Sequence, residues 1–254
     1  MKILFLAYNT FREAIRDKVL YSLIFFAVLM VGLSVILDNL TIGEPTKIIK
    51  DFGLASIEIF GVLIAIFVGI GLVYKEMELK TIYNILAKPI HRYQFIIGKY
   101  FGLVLTLLIE VLTMSIALFS ILYFYEGKIV FTLLPAIGMI LVALMIITAF
   151  ALLFSSFSTP ILSGLFTLSF FIIGHLTPDL LELGKKPDSR AVRYLTEVLY
   201  YVIPNLEYFN LKGQVVHHMP VEKGYLFFVS LYGLLYIVII LLLTMVIFQN
   251  RDIK

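Results

Sequence analysis

The sequence predicts an all-α integral membrane protein with six transmembrane helices, and three observations carry that prediction. Of the 254 residues, 61% are apolar and only 15% are charged, against the roughly 25% charge of a soluble domain. Several apolar stretches reach the ~20 residues that cross a bilayer. The basic residues are also distributed unevenly among the connections. Backbone amides in lipid must be satisfied within their own segment, so each apolar stretch is read as a helix. The composition excludes an ordinary soluble enzyme. With no cysteine there is no disulfide framework, thiolate metal site or cysteine nucleophile. Four histidines, at positions 91, 175, 217 and 218, are too few for a histidine-rich metal site, so no metal is expected. A net charge of +3 gives no case for nucleic acid.

The whole chain, residues 1–254, reads as one transmembrane domain. Residues 1–18 place Leu4, Tyr8, Phe11 and Ile15 on one helical face and Asn9, Arg12, Glu13, Arg16 and Asp17 on the other. That spacing suits an elbow helix lying in the membrane interface, the alternative being a polar extension of the first span. The charges follow the apolar residues, which is not the order of a cleaved signal.

Six spans follow: Val19–Leu37, Phe52–Tyr74, Tyr100–Tyr125, Ile129–Phe154, Ile161–Thr177 and Tyr225–Phe248. Ser155–Pro160 between the fourth and fifth is either a short turn or a kink. With the N-terminus inside, the inner segments carry Lys2, Arg12, Arg16, Lys18, five basic residues from Lys75 to Lys99, Arg251 and Lys254. The two short outer loops then hold only Lys47, Lys50 and Lys128, so the bias in basic residues places both termini in the cytoplasm of a cell (inner or plasma) membrane protein. Tryptophan is absent, and tyrosines such as Tyr21, Tyr74, Tyr100, Tyr123 and Tyr225 supply the interfacial belt.

Residues 75–99 form the inner loop after the second span, and this loop carries an amphipathic helix. Met77 (or Leu79), Ile82, Ile85 and Leu86 recur at helical spacing beside Glu76, Glu78, Lys80 and Asn84, and Pro89 ends the helix. A short half-apolar helix at the membrane face suits docking in a partner's groove.

Two carboxylates lie within the spans. Glu110, about ten residues or roughly 15 Å into the third, costs at least ~2.5 kcal/mol to insert. It is read either as a buried hydrogen-bonding residue or as part of a translocation path. Glu58, about two turns into the second span, is expected to reach water at the interface, the alternative being a place in the translocation path, and neither span offers a basic partner at the same depth. Gly98 and Gly102, and Ser155, Thr159 and Ser163, recur at the four-residue spacing that lets helices approach closely.

Residues 178–224 form a long outer segment rich in turn signals. Asp188 or Ser189 caps an expected helix running to about Val202, with Ala191, Val192, Leu195, Val198, Leu199 and Val202 on its apolar side. His175 is expected to hydrogen-bond near its span's end, and the His217-His218 pair is expected in a solvated loop.

Glu76 and Glu78 followed by Thr81, Leu86, Pro89, Arg92 and Gly98-Lys99 resemble the pattern of type 2 ABC exporter permeases, with Lys80 standing where the family usually has glycine. Within that family the stretch Pro204-Asn-Leu-Glu-Tyr-Phe-Asn is most similar to the NosY-like permeases of multicopper-enzyme maturation. The resemblance implies a permease subunit of an ATP-driven exporter that works as a homodimer or heterodimer. Its coupling helix, with Glu76, Glu78, Thr81, Ile82, Ile85, Leu86, Pro89 and Arg92, would seat in a separate ATP-binding subunit, where ATP and Mg would be bound. The sequence contains no Gly-x-x-x-x-Gly-Lys-Ser/Thr phosphate loop of its own. The chain is therefore expected to be no enzyme and to hold no cofactor, with the bilayer and a periplasmic accessory protein as further partners. The competing reading is a secondary transporter or channel that uses Glu110 as an intramembrane ion or proton site, although no internal repeat is evident. Motifs of intramembrane enzymes are lacking.

Overall fold

The computed structural model describes residues 2–38, 45–78, 91–128, 130–180, 190–217 and 219–250. Within them the regular structure is helical throughout: α1 (Lys2–Ile15), α2 (Lys18–Asp38), α3 (Pro45–Glu78), α4 (Arg92–Glu126), α5 (Leu134–Phe157), α6 (Pro160–His175), α7 (Arg190–Val202), α8 (Lys212–Val216) and α9 (Lys223–Asn250). Short 3₁₀ turns lie at Phe131–Leu133 and Leu206–Phe209. Among the described residues four stretches are long and apolar enough to cross a membrane: Thr46–Gly71, Arg92–Glu126, Phe131–Phe157 and Lys223–Gln249. Two more apolar helical stretches, Lys18–Leu33 and Pro160–His175, are shorter. The 16 residues of α6 rise roughly 24 Å, less than the ~30 Å hydrocarbon core.

The helices extend beyond the apolar runs because polar residues at their ends find partners. α3 begins seven residues before Phe52, and Lys50 in its first turns pairs with Glu126 at the end of α4 at 2.6 Å. α4 then stops at Gly127, whose φ of 66° is the left-handed conformation glycine adopts at no steric cost and whose N–H donates to the Tyr123 carbonyl at 2.9 Å. Between α5 and α6 the chain makes a turn, with Ser158 and Thr159 extended and Pro160 opening the new helix.

α3 and α5 form the centre, each with 72% of its apolar window buried, whereas α9 has 22% and forms the rim. α5 packs on α3, α4, α6 and α9, while α2 packs on α3 and α4. Hydroxyls inside the bundle donate to the carbonyl one turn earlier, as Ser56 does to Phe52, Thr106 to Gly102, Thr148 to Leu144 and Thr244 to Ile240. These four hydroxyls are thereby satisfied without water.

α1 packs on α4, through a face other than its most apolar one. Leu6, Ala7, Thr10 and Ala14 are buried, while Leu4, Phe5 and Tyr8 are exposed. The partner surface is Gly98 and Gly102, so the glycine pair joins two helices of one subunit. A Cβ at Gly98 would lie 2.5 Å from Leu6 Cβ, and one at Gly102 2.6 Å from the Ala7 carbonyl oxygen.

Candidate functional site

α6 buries Ser163, Thr167, Phe170 and Gly174, one stripe at helical spacing, and turns Ile161, Leu165 and Leu168 outward. Phe170 stacks on Phe150 of α5 with ring centroids 3.5 Å apart. The seam between α6 and α3 opens into an apolar groove of about 410 Å³. Leu63, Phe67 and Ile70 wall it from α3, and Pro160, Gly164 and Leu168 from α6.

The same seam closes at its other end in a charged cluster. Glu58 of α3 is 5% exposed, which overturns the expectation that it reaches water. One carboxylate oxygen, Oε1, lies 3.0 Å from His175 Nε2 of α6, and the other, Oε2, accepts from Lys212 Nζ at the start of α8. His175 Nδ1 is 3.1 Å from the Phe171 carbonyl oxygen, so the imidazole stands between two acceptors. The partners missing from the spans therefore come from α6 and from a short helix folded back onto the bundle.

The stretch 204–211 carries Lys212 into place. Asn205 Oδ1 accepts from Glu207 N at 3.0 Å and so caps the 3₁₀ turn, and Glu207 Oε1 accepts from Asn210 Nδ2 at 2.8 Å. Tyr232 Oη of α9 accepts from Asn205 N at 3.0 Å, and Tyr225 Oη donates to the Tyr208 carbonyl at 2.8 Å. Leu206 and Phe209 are buried. Leu206 seats where a side chain at Gly174 would be, and Phe209 presses on Gly233. A stretch that reads as loop in the sequence is thus a packed plug. The signal for it is the Asn-x-Glu-x-x-Asn pattern among Leu206, Tyr208 and Phe209.

Glu110 is fully buried on α4, and among the described residues neither of its carboxyl oxygens meets a hydrogen-bond partner. It does not line the groove. Of the predicted coupling residues, Thr81, Ile82, Ile85, Leu86 and Pro89 lie outside the described residues, and Glu76 and Glu78 fall in the last turns of α3. The expected helix after Asp188 or Ser189 is present as α7. His217 is exposed, and His218 lies outside the described residues.

Arg92 is anchored at the end of the bundle opposite the Glu58 cluster. Its Nη1 donates to the carbonyls of Phe248 at 3.0 Å and Gln249 at 2.8 Å, in the last turn of α9. A cation suits the C-terminal part of a helix, where the dipole is negative. Phe95 stacks on Phe248 at 5.7 Å beside them, and Lys99 reaches Glu13 of α1 at 3.7 Å. Hydrogen bonds from a charged group contribute about 1.5–3 kcal/mol each, so Arg92→Ala is expected to lower the melting midpoint in detergent by several degrees. An unchanged midpoint would show that the clamp contributes nothing to stability.

Residues 4–253 match a family model described as ABC-2 family transporter protein. No curated protein matches the chain.

Proposed function

Since the chain belongs to the ABC-2 family of transporter proteins, we propose that this permease is the membrane subunit of an ATP-driven exporter, works as a dimer and couples to a separate ATP-binding subunit. The observation that carries this reading is the extent of the match, which runs from α1 to the end of α9. The four long apolar helices support it, and α2 and α6 complete a set of six spans, α6 aided by the helical residues 177–180 beyond it. In this reading α1 is the interfacial elbow. Its exposed Leu4, Phe5 and Tyr8 sit in lipid while Arg12 and Arg16 face the headgroups. The end of the bundle holding α1 and Arg92 is cytoplasmic, which places the Glu58 cluster on the outer side.

The α3–α6 groove is the surface that fits the second permease copy and the translocation path between the two. It is almost purely apolar and lies along the two helices that also hold Glu58 and His175. Glu58 would stand at the outer end of that path. Glu110, sealed inside the subunit, would reach it only after α4 repacks. Two conformations of such a dimer, biased by ATP in the partner subunit, would reorient the groove, with residues 75–99 as the transmitting segment.

The test is co-purification of the detergent-extracted chain with an ATP-binding subunit, followed by measurement of the turnover it stimulates. Juxtaposing like charges at a protein interface costs several kcal/mol. The double variant Glu76→Lys/Glu78→Lys is therefore expected to lower that stimulation by about tenfold or more with the melting midpoint unchanged. Normal stimulation and normal co-purification by the variant would remove residues 75–99 from the coupling path.

A further inference from the structure

Two acidic side chains are buried in the bundle, and the fold treats them in opposite ways. α3 and α4 run antiparallel: a Cβ at Gly69 would touch Leu103, and one at Gly53 would press on Leu118. Glu110 lies midway between those two contacts, and Glu58 of α3 falls within roughly 5 Å of the same depth. Glu58 has a nitrogen partner for each carboxylate oxygen. Glu110 is 0% exposed and, among the described residues, has a partner for neither.

The helices packed on α4 supply no counter-charge at that depth. Towards one end of α4, Lys99 is engaged with Glu13 of α1, and at the other Lys50 of α3 is engaged with Glu126. α1 meets α4 at Gly98 and Gly102 and leaves Tyr8, Arg12 and Arg16 exposed. α5 has no ionisable side chain, α2 has only Tyr21 between its terminal Lys18 and Asp38, and α9 offers only Tyr225, Tyr232 and Tyr236 after its opening Lys223. On α3 the ionisable group at that depth is Glu58, already paired. A carboxylate isolated in this way takes a proton and is neutralised. Packing alone does not account for it: Thr106 and Thr113 on the same helix donate to the carbonyl one turn earlier, whereas Glu110 makes no such bond.

We propose that Glu110 is a proton-binding site: it holds a proton while α4 is packed as described, and gives it up when α4 repacks in the transport cycle and water reaches the side chain. The release step rests on the permease reading above; the proton held at rest does not. The chemistry is one proton transfer, in which the carboxyl O–H bond breaks, the proton passes to water in the opened path and the carboxylate remains, solvated. The packed state then holds one more proton than the opened one, so raising the pH favours opening, by up to about tenfold for each unit.

The infrared carbonyl band of a protonated carboxyl reads the site directly. The detergent-purified permease at neutral pH should show such a band, which Glu110→Gln should lack and Glu58→Gln should keep, and alkaline titration should remove it. Should Glu110→Gln not fold, Glu110→Asp, which keeps the acid on a shorter arm, should shift the band in place of removing it. With the ATP-binding subunit bound and its turnover stimulated, ATP and vanadate should abolish the band, and its deuterium exchange should be slow at rest and fast during turnover. Absence of a Glu110-dependent band at neutral pH overturns the proton site. A band that survives alkaline titration and vanadate trapping in a complex that turns over normally makes Glu110 a structural acid and overturns the release. If no ATP-binding subunit co-purifies, the permease reading fails and the release step with it, while the comparison at neutral pH still decides the proton.

Discussion

Gly102→Leu is expected to strip α1 from the bundle, whereas Gly138→Leu on α5 is tolerated. Both substitutions replace a helical glycine by a good helix former and gain the same ~1 kcal/mol or less of propensity. What differs is the surroundings: nothing lies within 4 Å of a Cβ at Gly138, while one at Gly102 meets Thr10 Cβ at 2.5 Å and the Ala7 carbonyl oxygen at 2.6 Å. A backbone oxygen cannot rotate away as a side chain can, so the helix must move. Overpacking costs about 1–3 kcal/mol where neighbours yield, and a leucine here displaces the whole α1 face of Leu6, Ala7, Thr10 and Ala14. The expected result is a melting midpoint lowered by several degrees together with faster tryptic cleavage after Arg12 and Arg16. Equal midpoints and equal cleavage in the two variants would show that α1 does not depend on this contact.

The second large effect concerns the Lys50–Glu126 pair and is asymmetric. Lys50 is 2% exposed and Glu126 is 15% exposed at 2.6 Å separation. Removing the carboxylate with Glu126→Ala leaves a buried ammonium uncompensated, a change that costs about 3–5 kcal/mol. Removing the cation with Lys50→Met fills nearly the same volume with apolar atoms and leaves a carboxylate that already touches water beside the turn at Gly127. Glu126→Ala is therefore expected to lower the melting midpoint by roughly 6–20 °C, with Lys50→Met producing a small fraction of that shift. Differential scanning measurements on the detergent-purified variants decide it; equal shifts would show that an uncompensated buried ammonium is not the source of the cost.

The four long helices, the helix at Arg190–Val202 and the amphipathic α1 were legible in the sequence because each announces itself by local periodicity or an unbroken apolar run. Their extents were less legible. An apolar run stops at the first charge, but α3 starts at Pro45 and α4 at Arg92, because Lys50 and Arg92 have partners elsewhere in the fold. Glu58 shows the limit most plainly. Its partners lie 117 and 154 residues away in the chain, and one of them stands on a five-residue helix too short to carry a periodic signal. A search for a basic residue at matching depth in another span cannot find Lys212, which reaches that depth from outside the spans. The face by which α1 docks carries no hydrophobic signal: the apolar Leu4–Tyr8 face stays exposed, and the close approach of backbones at Gly98 and Gly102 selects the face with Ala7 and Thr10.

The docking of α1 against α4 also sets a schedule for making the protein. The surface that α1 requires, Gly98 and Gly102, follows it by ~90 residues, which at about 5–20 residues per second of synthesis is a delay on the order of 5–20 s. During that interval a helix with one apolar and one charged face has emerged without its receptor. If α1 is the interfacial elbow proposed above, it would rest flat on the membrane in that interval, with Leu4, Phe5 and Tyr8 immersed. Those three residues remain exposed in the finished fold, so a membrane contact made through them would not have to be given up when the helix docks.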